Sequence, residues 1–256
     1  MISNFIEIFL LSIIQGVSEF LPISSAAHLV LASNIYEFKN QSLLIDISLH
    51  LGSLLAILFY FKNDIFNFEK NKNLFYKIII SSIPLIVIGY FIYTTNLIDY
   101  FRNIKVIAWA TLFFGILLYL ADKNKISKKI DTDFNIKSVL IIGFFQVLAL
   151  IPGVSRSGII ITGARFLKFN RLDSAKISFL LSIPALAGWS LYGFYDLAKQ
   201  NNELLNMGAM LTVLLSFIFS YLTIKYFLVY LKKFDLSLFV AYRMVLGIIL
   251  LLVAYL

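Results

Sequence analysis

The chain has no cysteine and few charged residues. Charged side chains make up 14% and hydrophobic side chains 60% of its 256 residues. Without cysteine no disulfide can stabilise the fold. With so few charges and a mean hydropathy of +0.88, the chain is far more apolar than a soluble domain. A signal peptide followed by a soluble domain is excluded, because apolar runs recur as far as residues 245–256.

The long apolar runs predict an all-α polytopic membrane protein. A helix needs about 20 apolar residues to cross about 30 Å of hydrocarbon. Six stretches meet this length and are predicted transmembrane helices: residues 43–61, 75–93, 104–121, 174–195, 207–229 and 237–256. The net charge of +8 does not indicate a nucleic-acid partner here, because the placement of the charges matters more than their sum.

Two further apolar regions, residues 4–33 and 138–168, are each interrupted by a proline and a serine cluster. Each therefore predicts two short helices that meet at a polar break. Non-helical backbone at membrane depth is tolerated only where protein buries it or water reaches it. We expect both regions to form re-entrant helical hairpins that line a cavity.

Basic residues predict the orientation, because they collect in cytoplasmic loops. Alternating the loops between the two faces puts most of the 22 lysines and arginines on one face. That cytoplasmic set is Lys62, Lys70, Lys72, Lys77, Lys123, Lys125, Lys128, Lys129, Lys137, Arg165, Lys168, Arg171, Lys176, Lys225, Lys232 and Lys233. The other face receives Lys39, Arg102, Lys105 and Lys199. This asymmetry favours hairpins over full spans.

The chain also repeats itself. Gln15 precedes a Pro-x-Ser-Ser stretch at Pro22, and Gln146 precedes a Pro-Gly-x-Ser stretch at Pro152. One integral-membrane domain is expected, with a first repeat over 1–134 and a second over 135–256. Each repeat has one hairpin and three spans. Since three is odd, the second repeat inserts upside down, as in an inverted-topology repeat.

The second interrupted region carries an arginine between two serines, within Pro152-Gly153-Val154-Ser155-Arg156-Ser157-Gly158. A guanidinium is always charged, so among apolar residues it needs an anion or a water-lined cavity. The backbone N–H groups of residues 155–157, just before an apolar run that can form a helix, suit a phosphate. We expect an oxyanion site within the membrane.

The first interrupted region supplies the complementary groups. Gln15 and Glu19 are four residues apart and share one helix face, and Ser24, Ser25 and His28 follow the break. These side chains can hold a metal, contact a phosphate, or act as nucleophile, acid or base. Desolvating the Glu19 carboxylate requires a partner, which Arg156 or a divalent cation would supply.

Three other residues are weaker candidates. Asp46 and His50 are four apart on one helix face and either border the cavity or form a structural pair. Arg243, in the last span, snorkels, pairs with a carbonyl or has a functional role.

The two motifs resemble those of the undecaprenyl-diphosphate phosphatases of the bacitracin-resistance type. The first family motif, an acidic residue or glutamine followed by glutamate four residues later, is met by Gln15 and Glu19, with Ser24, Ser25 and His28 beyond it. The second, Pro-Gly-x-Ser-Arg-Ser-x-x-Thr, is met from Pro152 through Ser157. Its ninth position holds Ile160 instead of threonine, and Thr162 is two residues further on.

The resemblance implies hydrolysis of undecaprenyl diphosphate to undecaprenyl phosphate, supported by a divalent cation (Mg²⁺ or Ca²⁺), in the bacterial inner membrane with an outward-facing site. It implies catalytic roles for Glu19, Ser25, His28 and Arg156, phosphate contacts from Ser24, Gly153, Ser155 and Ser157, and metal binding by Glu19 and Gln15. Gln15 in place of glutamate removes one carboxylate charge that could bind the metal. The expected partners are the polyprenyl diphosphate, membrane lipids and a second copy of the chain in a homodimer.

Other interpretations stay open at this point. Water can attack the phosphate directly, or the enzyme can form a covalent phosphoenzyme. A transporter or lipid flippase would use the same repeat and central charges without a nucleophile. A type-2 phosphatidic-acid phosphatase is disfavoured because no histidine follows Arg156. A purely structural membrane protein leaves Glu19, His28 and Arg156 unexplained.

Overall fold

The computed structural model describes residues 2–35, 42–66, 68–95, 97, 101, 103–199 and 207–256. Its helices are α1 (Ile2–Ser18), α2 (Ser25–Ile35), α3 (Leu43–Tyr60), α4 (Lys62–Phe66), α5 (Phe68–Thr94), α6 (Ile104–Asp122), α7 (Ile130–Asp133), α8 (Ile136–Val147), α9 (Arg156–Phe166), α10 (Arg171–Lys199), α11 (Met207–Leu231) and α12 (Ser237–Tyr255). A 3₁₀ turn, Leu148–Leu150, follows α8. Lys39 and Arg102, both predicted to lie on the outer face, fall outside the described residues.

Six helices are long and apolar enough to cross a membrane, which confirms the predicted number of spans. They correspond to α3, α5, α6, α10, α11 and α12. The apolar windows are Leu43–Tyr60, Asn71–Ile92, Ile104–Asp122, Arg171–Tyr195, Met207–Leu231 and Ser237–Tyr255. Large apolar side chains remain exposed along them, for example Leu191 on α10 and Phe113 on α6. Such a surface suits lipid and not water. The protein is therefore a multi-pass membrane protein.

The two interrupted regions contain shorter helices. In the first, α1 has 17 residues and α2 has 11. In the second, α8 has 12 and α9 has 11. Each of the four is shorter than the about 20 residues that a span requires. The predicted breaks at Pro22 and Pro152 are thus present, and a loop separates the two helices of each pair.

The two halves of the chain interlock. Helix α3 of the first half packs between α10 and α11 of the second, and α6 packs along α12. Helix α1 lies against α11, and α8 lies against α5, so each interrupted region packs on the second span of the other half. Each interrupted region is thereby held against the other half of the chain.

The basic segments meet at one end of the bundle. There Asp122, at the end of α6, accepts hydrogen bonds from Arg165 Nε at 3.0 Å, Arg171 Nε at 2.8 Å and the backbone N–H of Leu236 at 3.1 Å. Lys176 Nζ lies 2.8 Å from Asp64 Oδ1. These contacts tie the segments around residues 64, 122, 165, 176 and 236 to the same end, as the charge pattern predicts.

Candidate active site

The loops that break the two interrupted regions have matching local structure. Ser24 and Ser155 have φ of 73° and 69°, in the left-handed region that residues other than glycine seldom adopt. Each precedes a helix and caps it, because its Oγ accepts from the backbone N–H three residues later. The N···Oγ distances are 3.4 Å for Ala27 and 3.2 Å for Gly158. Both helices, α2 and α9, thus begin directly after a strained serine.

Both loops open into one cavity of about 290 Å³. The first loop and α2 contribute Ser24, Ser25 and Ala26, and the second loop contributes Pro152, Gly153, Ser155 and Arg156. The other lining residues are Ser18, Glu19, His50, Leu85, Ala149, Leu150, Ile151, Ala185, Leu186 and Trp189. The first N–H groups of a helix have no intrahelical acceptor and carry partial positive charge. Two helix N-termini therefore meet at this cavity.

An ion pair joins the two interrupted regions across the cavity. The Arg156 guanidinium donates through Nη2 to Glu19 Oε1, although the two residues are 137 positions apart in the chain. The side chains are 19% and 8% exposed, so both charges are largely removed from solvent. This pair is the partner that the sequence analysis expected for the Glu19 carboxylate.

Gln15 holds the other oxygen of Glu19 and also reaches His50. Its Nε2 donates to Glu19 Oε2 at 3.0 Å and lies 2.9 Å from His50 Nδ1. Since an amide nitrogen can only donate, Nδ1 of His50 is the acceptor, and its proton lies on Nε2. His50 lines the cavity and packs against Trp189, with ring centroids 5.8 Å apart. Asp46 does not line the cavity, so only one member of that pair reaches the site.

The second loop is fixed to the first by hydroxyl groups. Ser157 Oγ donates to Leu21 O at 2.7 Å and lies 3.2 Å from Ser155 Oγ. Gly153 has a φ of 96°, and a Cβ there would stand 2.4 Å from Ile107 O on α6. Only glycine allows this approach. Ser155 and Gly153 line the cavity, whereas Ser157 is buried behind it.

His28 is turned towards the last helix and does not line the cavity. Its Nδ1 lies 2.6 Å from Ser24 O, and its Nε2 lies 2.6 Å from Tyr242 Oη. A carbonyl only accepts, so Nδ1 donates to Ser24 and Nε2 accepts from the tyrosine hydroxyl in the neutral ring. Tyr242 and Trp189 were not among the candidates predicted from the sequence, because no local pattern marks either residue.

The remaining candidates have structural partners. Thr162 Oγ1 donates to Gly158 O at 2.7 Å, within its own helix, and Ile160 is fully buried in the apolar core. Arg243 is also fully buried and donates to backbone carbonyls, so it does not snorkel.

The donor groups of the cavity fit a divalent cation that takes most of its ligands from water and substrate. Among the residues that the structure describes, no three His, Cys, Asp or Glu side chains converge on a metal position. Glu19, which lines the cavity, offers one carboxylate, and Gln15 stands behind it, hydrogen-bonded to Glu19 but not among the lining residues. Mg²⁺ is commonly held by one or two carboxylates together with phosphate oxygens and water. The site suits that mode and not a cage built from protein ligands alone.

The fold and this cavity define a class: multi-pass membrane proteins with an ion-paired polar site between two broken helical regions. The family model of bacitracin resistance protein BacA matches residues 8–249. The undecaprenyl-diphosphatase of Pelagibacter ubique is 54% identical over 256 residues, covering 100% of both chains. Those of Hahella chejuensis and Campylobacter curvus are 40% and 38% identical, covering 95% and 97% of this chain and 96% and 98% of their own.

The chain therefore belongs to the bacitracin resistance protein BacA family. The resemblance that the two sequence motifs indicated is confirmed.

Proposed function

We propose that this protein is an undecaprenyl-diphosphatase, which converts undecaprenyl diphosphate to undecaprenyl phosphate and inorganic phosphate. The observation that carries this function is the Arg156–Glu19 ion pair at a cavity where α2 and α9 both begin. A cation and two helix N-termini favour a diphosphate. The names of relatives that match the chain over its full length support the same reaction. Recycling of this lipid carrier serves cell-wall synthesis and connects the family to bacitracin resistance.

The terminal phosphate is proposed to bind Arg156 and the N–H groups at the start of α9. Arginine meets phosphate oxygens with paired, planar donors, and preorganised donors are worth most where charge develops in the transition state. The phosphate takes the place of Glu19 as partner of the guanidinium. Ser24, Ser155, Ser157 and Gly153 shape the two loops, and Ser24 and Ser155 also offer hydroxyls to the phosphate.

Hydrolysis breaks the bond between the terminal phosphorus and the bridging oxygen. Undecaprenyl phosphate leaves with the bridging oxygen, and the terminal phosphorus gains an oxygen from water. Ser25 is the proposed attacking or phosphate-contacting hydroxyl, since it lines the cavity at the first residue of α2. In direct attack, water reacts at phosphorus. In the covalent route, Ser25 Oγ attacks first, and water then releases the phosphate from the serine.

Glu19 is proposed to accept a proton or to hold a metal, with Gln15 orienting it. A bound Mg²⁺ or Ca²⁺ would offset the negative charge of the diphosphate, with Glu19 and Gln15 as its protein ligands. His28 is the proposed acid or base. Its nitrogens are bound to Ser24 O and Tyr242, so this role requires the Tyr242 contact to open when substrate binds.

The proposal includes the course of the chain through the membrane. Helices α1–α2 and α8–α9 form two re-entrant hairpins, and residues 1–134 and 135–256 form an inverted-topology repeat. The capping of α2 and α9 by serines with positive φ supports the repeat, as does the packing of α1 on α11 and of α8 on α5. The first hairpin enters the bundle from the outer face and the second from the cytoplasmic face.

The protein is proposed to lie in the bacterial inner membrane with its site open to the outer face. His50, Leu85 and Trp189 line the cavity from the halves of α3, α5 and α10 that lie away from the lysine-rich end. That position supports an outward-facing site, since basic segments stay in the cytoplasm. The apolar tail of the substrate would lie in lipid. A homodimer stays a prediction, to be tested by the mass of the purified protein in detergent.

Phosphate release from undecaprenyl diphosphate tests the function. Purified protein in detergent with Mg²⁺ or Ca²⁺ should release inorganic phosphate, and Arg156→Ala and Glu19→Ala should abolish release while each protein stays folded. A transporter or flippase would bind the lipid without releasing phosphate. Binding without release across cations and pH would therefore overturn the proposed hydrolysis.

A further inference from the structure

Arg243 is a buried cation without a carboxylate partner among the described ion pairs. It lies in α12, is 0% exposed and does not line the cavity. Its guanidinium donates to backbone carbonyls: Nε to Thr111 at 3.1 Å, Nη1 to Val154 at 3.0 Å and Pro22 at 3.5 Å, and Nη2 to Gly153 at 3.1 Å. A full positive charge is thus enclosed by peptide dipoles inside a membrane protein. Burying a charge there is costly, so such residues usually have a function.

Three of these carbonyls belong to the two loops of the site. Pro22 is in the loop before α2, and Gly153 and Val154 are in the loop before α9. The fourth, Thr111, is on α6, against which Gly153 packs. One side chain from the last span therefore binds both loops from behind the cavity. Among the hydrogen bonds of the described residues, no other side chain joins both loops to a third element.

The loops need such a support because their backbones are strained. Ser24 and Ser155, which are not glycines, have φ of 73° and 69°, in the left-handed region. Unfavourable backbone conformations persist only where the surrounding structure over-determines them. Arg243 binds the carbonyls of Gly153 and Val154, directly before Ser155 and Arg156. It thereby fixes the direction in which the following residues enter the cavity.

The same contact acts on the phosphate-binding donors. The carbonyl of Val154 and the N–H of Ser155 belong to one peptide group. A cation that binds the carbonyl polarises that group and strengthens its N–H as a donor, because hydrogen bonds in a chain reinforce one another.

The space around Arg243 is shaped for a guanidinium. A Cβ at Gly158 would stand 3.0 Å from Arg243 Nη1, and a Cβ at Gly115 would stand 3.2 Å from Arg243 Cβ. Its four carbonyl acceptors are reached from three different nitrogens of the planar guanidinium, which carries five donors in a rigid fork. A lysine, with three donors at one point, cannot bind all of these carbonyls at once.

We infer that Arg243 is a positioning residue for the reaction. Its guanidinium holds the two loops so that Arg156 and Ser25 face the same phosphate, and it strengthens the Ser155 N–H as a donor to that phosphate. This inference rests on the proposed hydrolysis. It assigns a role to a side chain that touches neither substrate nor metal.

The kinetic test compares Arg243→Lys with Arg165→Lys. Arg165 is also almost fully buried, at 1% exposure, and donates to several acceptors, but it binds Asp122 and its surroundings at the basic end of the bundle. We expect Arg243→Lys to lower kcat for phosphate release about 100-fold with KM changed less than threefold, as for loss of an oxyanion donor. Arg165→Lys should lower the melting temperature with kcat changed less than threefold. A kcat for Arg243→Lys near wild type, or an equal loss in both variants, would overturn the inference.

A second readout does not depend on activity. Because the chain has no cysteine, Ala26→Cys and Ala149→Cys can carry spin labels on the two sides of the cavity. We expect a narrow distance distribution between the labels in the parent and with Arg165→Lys, and a broader one with Arg243→Lys or Arg243→Met. An unchanged distribution in both Arg243 variants contradicts the inference. If the wild type releases no phosphate, the proposed function fails, and the label distances alone decide whether Arg243 orders the loops.

Discussion

The two interrupted regions share a backbone design and differ in the chemistry of their side chains. In each, a serine with positive φ caps a short helix whose start lines the cavity. The first region supplies the carboxylate of Glu19 and the hydroxyl of Ser25, whereas the second supplies the guanidinium of Arg156. The proposed mechanism accordingly gives the two regions different roles: the attacking or phosphate-contacting hydroxyl in the first and the phosphate-binding cation in the second.

The glutamines of the two regions also differ in their hydrogen bonding. Gln15 and Gln146 each stand nine residues before the capping serine, Ser24 or Ser155. Gln15 is hydrogen-bonded to Glu19 and His50. Both amide atoms of Gln146 lack a hydrogen-bond partner within the described part of the chain. Positions at the same distance from a capping serine thus have different surroundings, and of these two glutamines only Gln15 is hydrogen-bonded to residues that line the cavity.

Exchanging the charges between the regions should have the largest effect. The double variant Glu19→Arg and Arg156→Glu can form an ion pair again, so we expect it to be more stable than either single variant. A buried charge without its partner costs about 3–5 kcal/mol. Phosphate release should still fall by 10³-fold or more, because an arginine contact to the transferred phosphoryl group is worth about that much. Release rate and melting temperature are measured on all four proteins. Activity near wild type in the double variant would mean that the regions are interchangeable.

The hydroxyls of the first loop should show the next largest effect. We expect Ser25→Ala to lower the rate of phosphate release about 10²- to 10³-fold, as for a group that acts in the transition state. Ser24→Ala is the matched control. Its main loss is the helix cap, so we expect it to cost about 1 kcal/mol of stability and to lower the rate less. A rapid-quench search for phosphoserine in the wild type separates covalent attack from direct attack by water. Equal rates for Ser25→Ala and wild type would remove Ser25 from the proposal.

Much of this comparison could be predicted from the sequence. Apolar runs of about 20 residues give the spans because a bilayer sets the length of a helix that crosses it. The breaks at Pro22 and Pro152 follow from local chemistry. The contact of Glu19 with Arg156 was expected, since two opposite charges in apolar surroundings each need a partner.

Other contacts could not be predicted because they depend on how helices rotate and pack. Gln15 and His50 are 35 residues apart, and His28 and Tyr242 are 214 apart. An apolar span fits lipid in many rotations, so hydrophobic periodicity does not fix which side chain faces a distant loop. Arg243 illustrates this limit: the sequence gives its charge and depth, whereas its carbonyl partners come from three separate segments.

Removing the glutamine of the first region should have a moderate effect. Gln15→Leu takes a donor from Glu19 Oε2 and leaves His50 Nδ1 without its partner. A hydrogen bond to a charged group is worth about 1.5–3 kcal/mol. Because only part of this loss raises the activation barrier of the variant, we expect phosphate release to fall about tenfold. Gln15→Glu adds a carboxylate that can hold a cation, so it should raise the apparent affinity for Mg²⁺ or Ca²⁺. Rates titrated against the cation check both variants. Unchanged rates and affinities would exclude Gln15 from the site.

The equivalent change in the second region should have the smallest effect and the opposite sign for stability. Gln146 is fully buried. Burying an amide without hydrogen bonds lowers the stability of a protein by about 1–3 kcal/mol, as judged from mutational data. Gln146→Leu keeps a similar volume and removes the polar atoms, so we expect the melting temperature in detergent to rise with phosphate release within twofold of wild type. Gln146→Asn, which keeps the amide and loses volume, should lower the melting temperature. If Gln146→Leu instead lost stability or activity as Gln15→Leu does, the amide would have a polar partner, such as a buried water, and the two regions would be more alike in function than their contacts indicate.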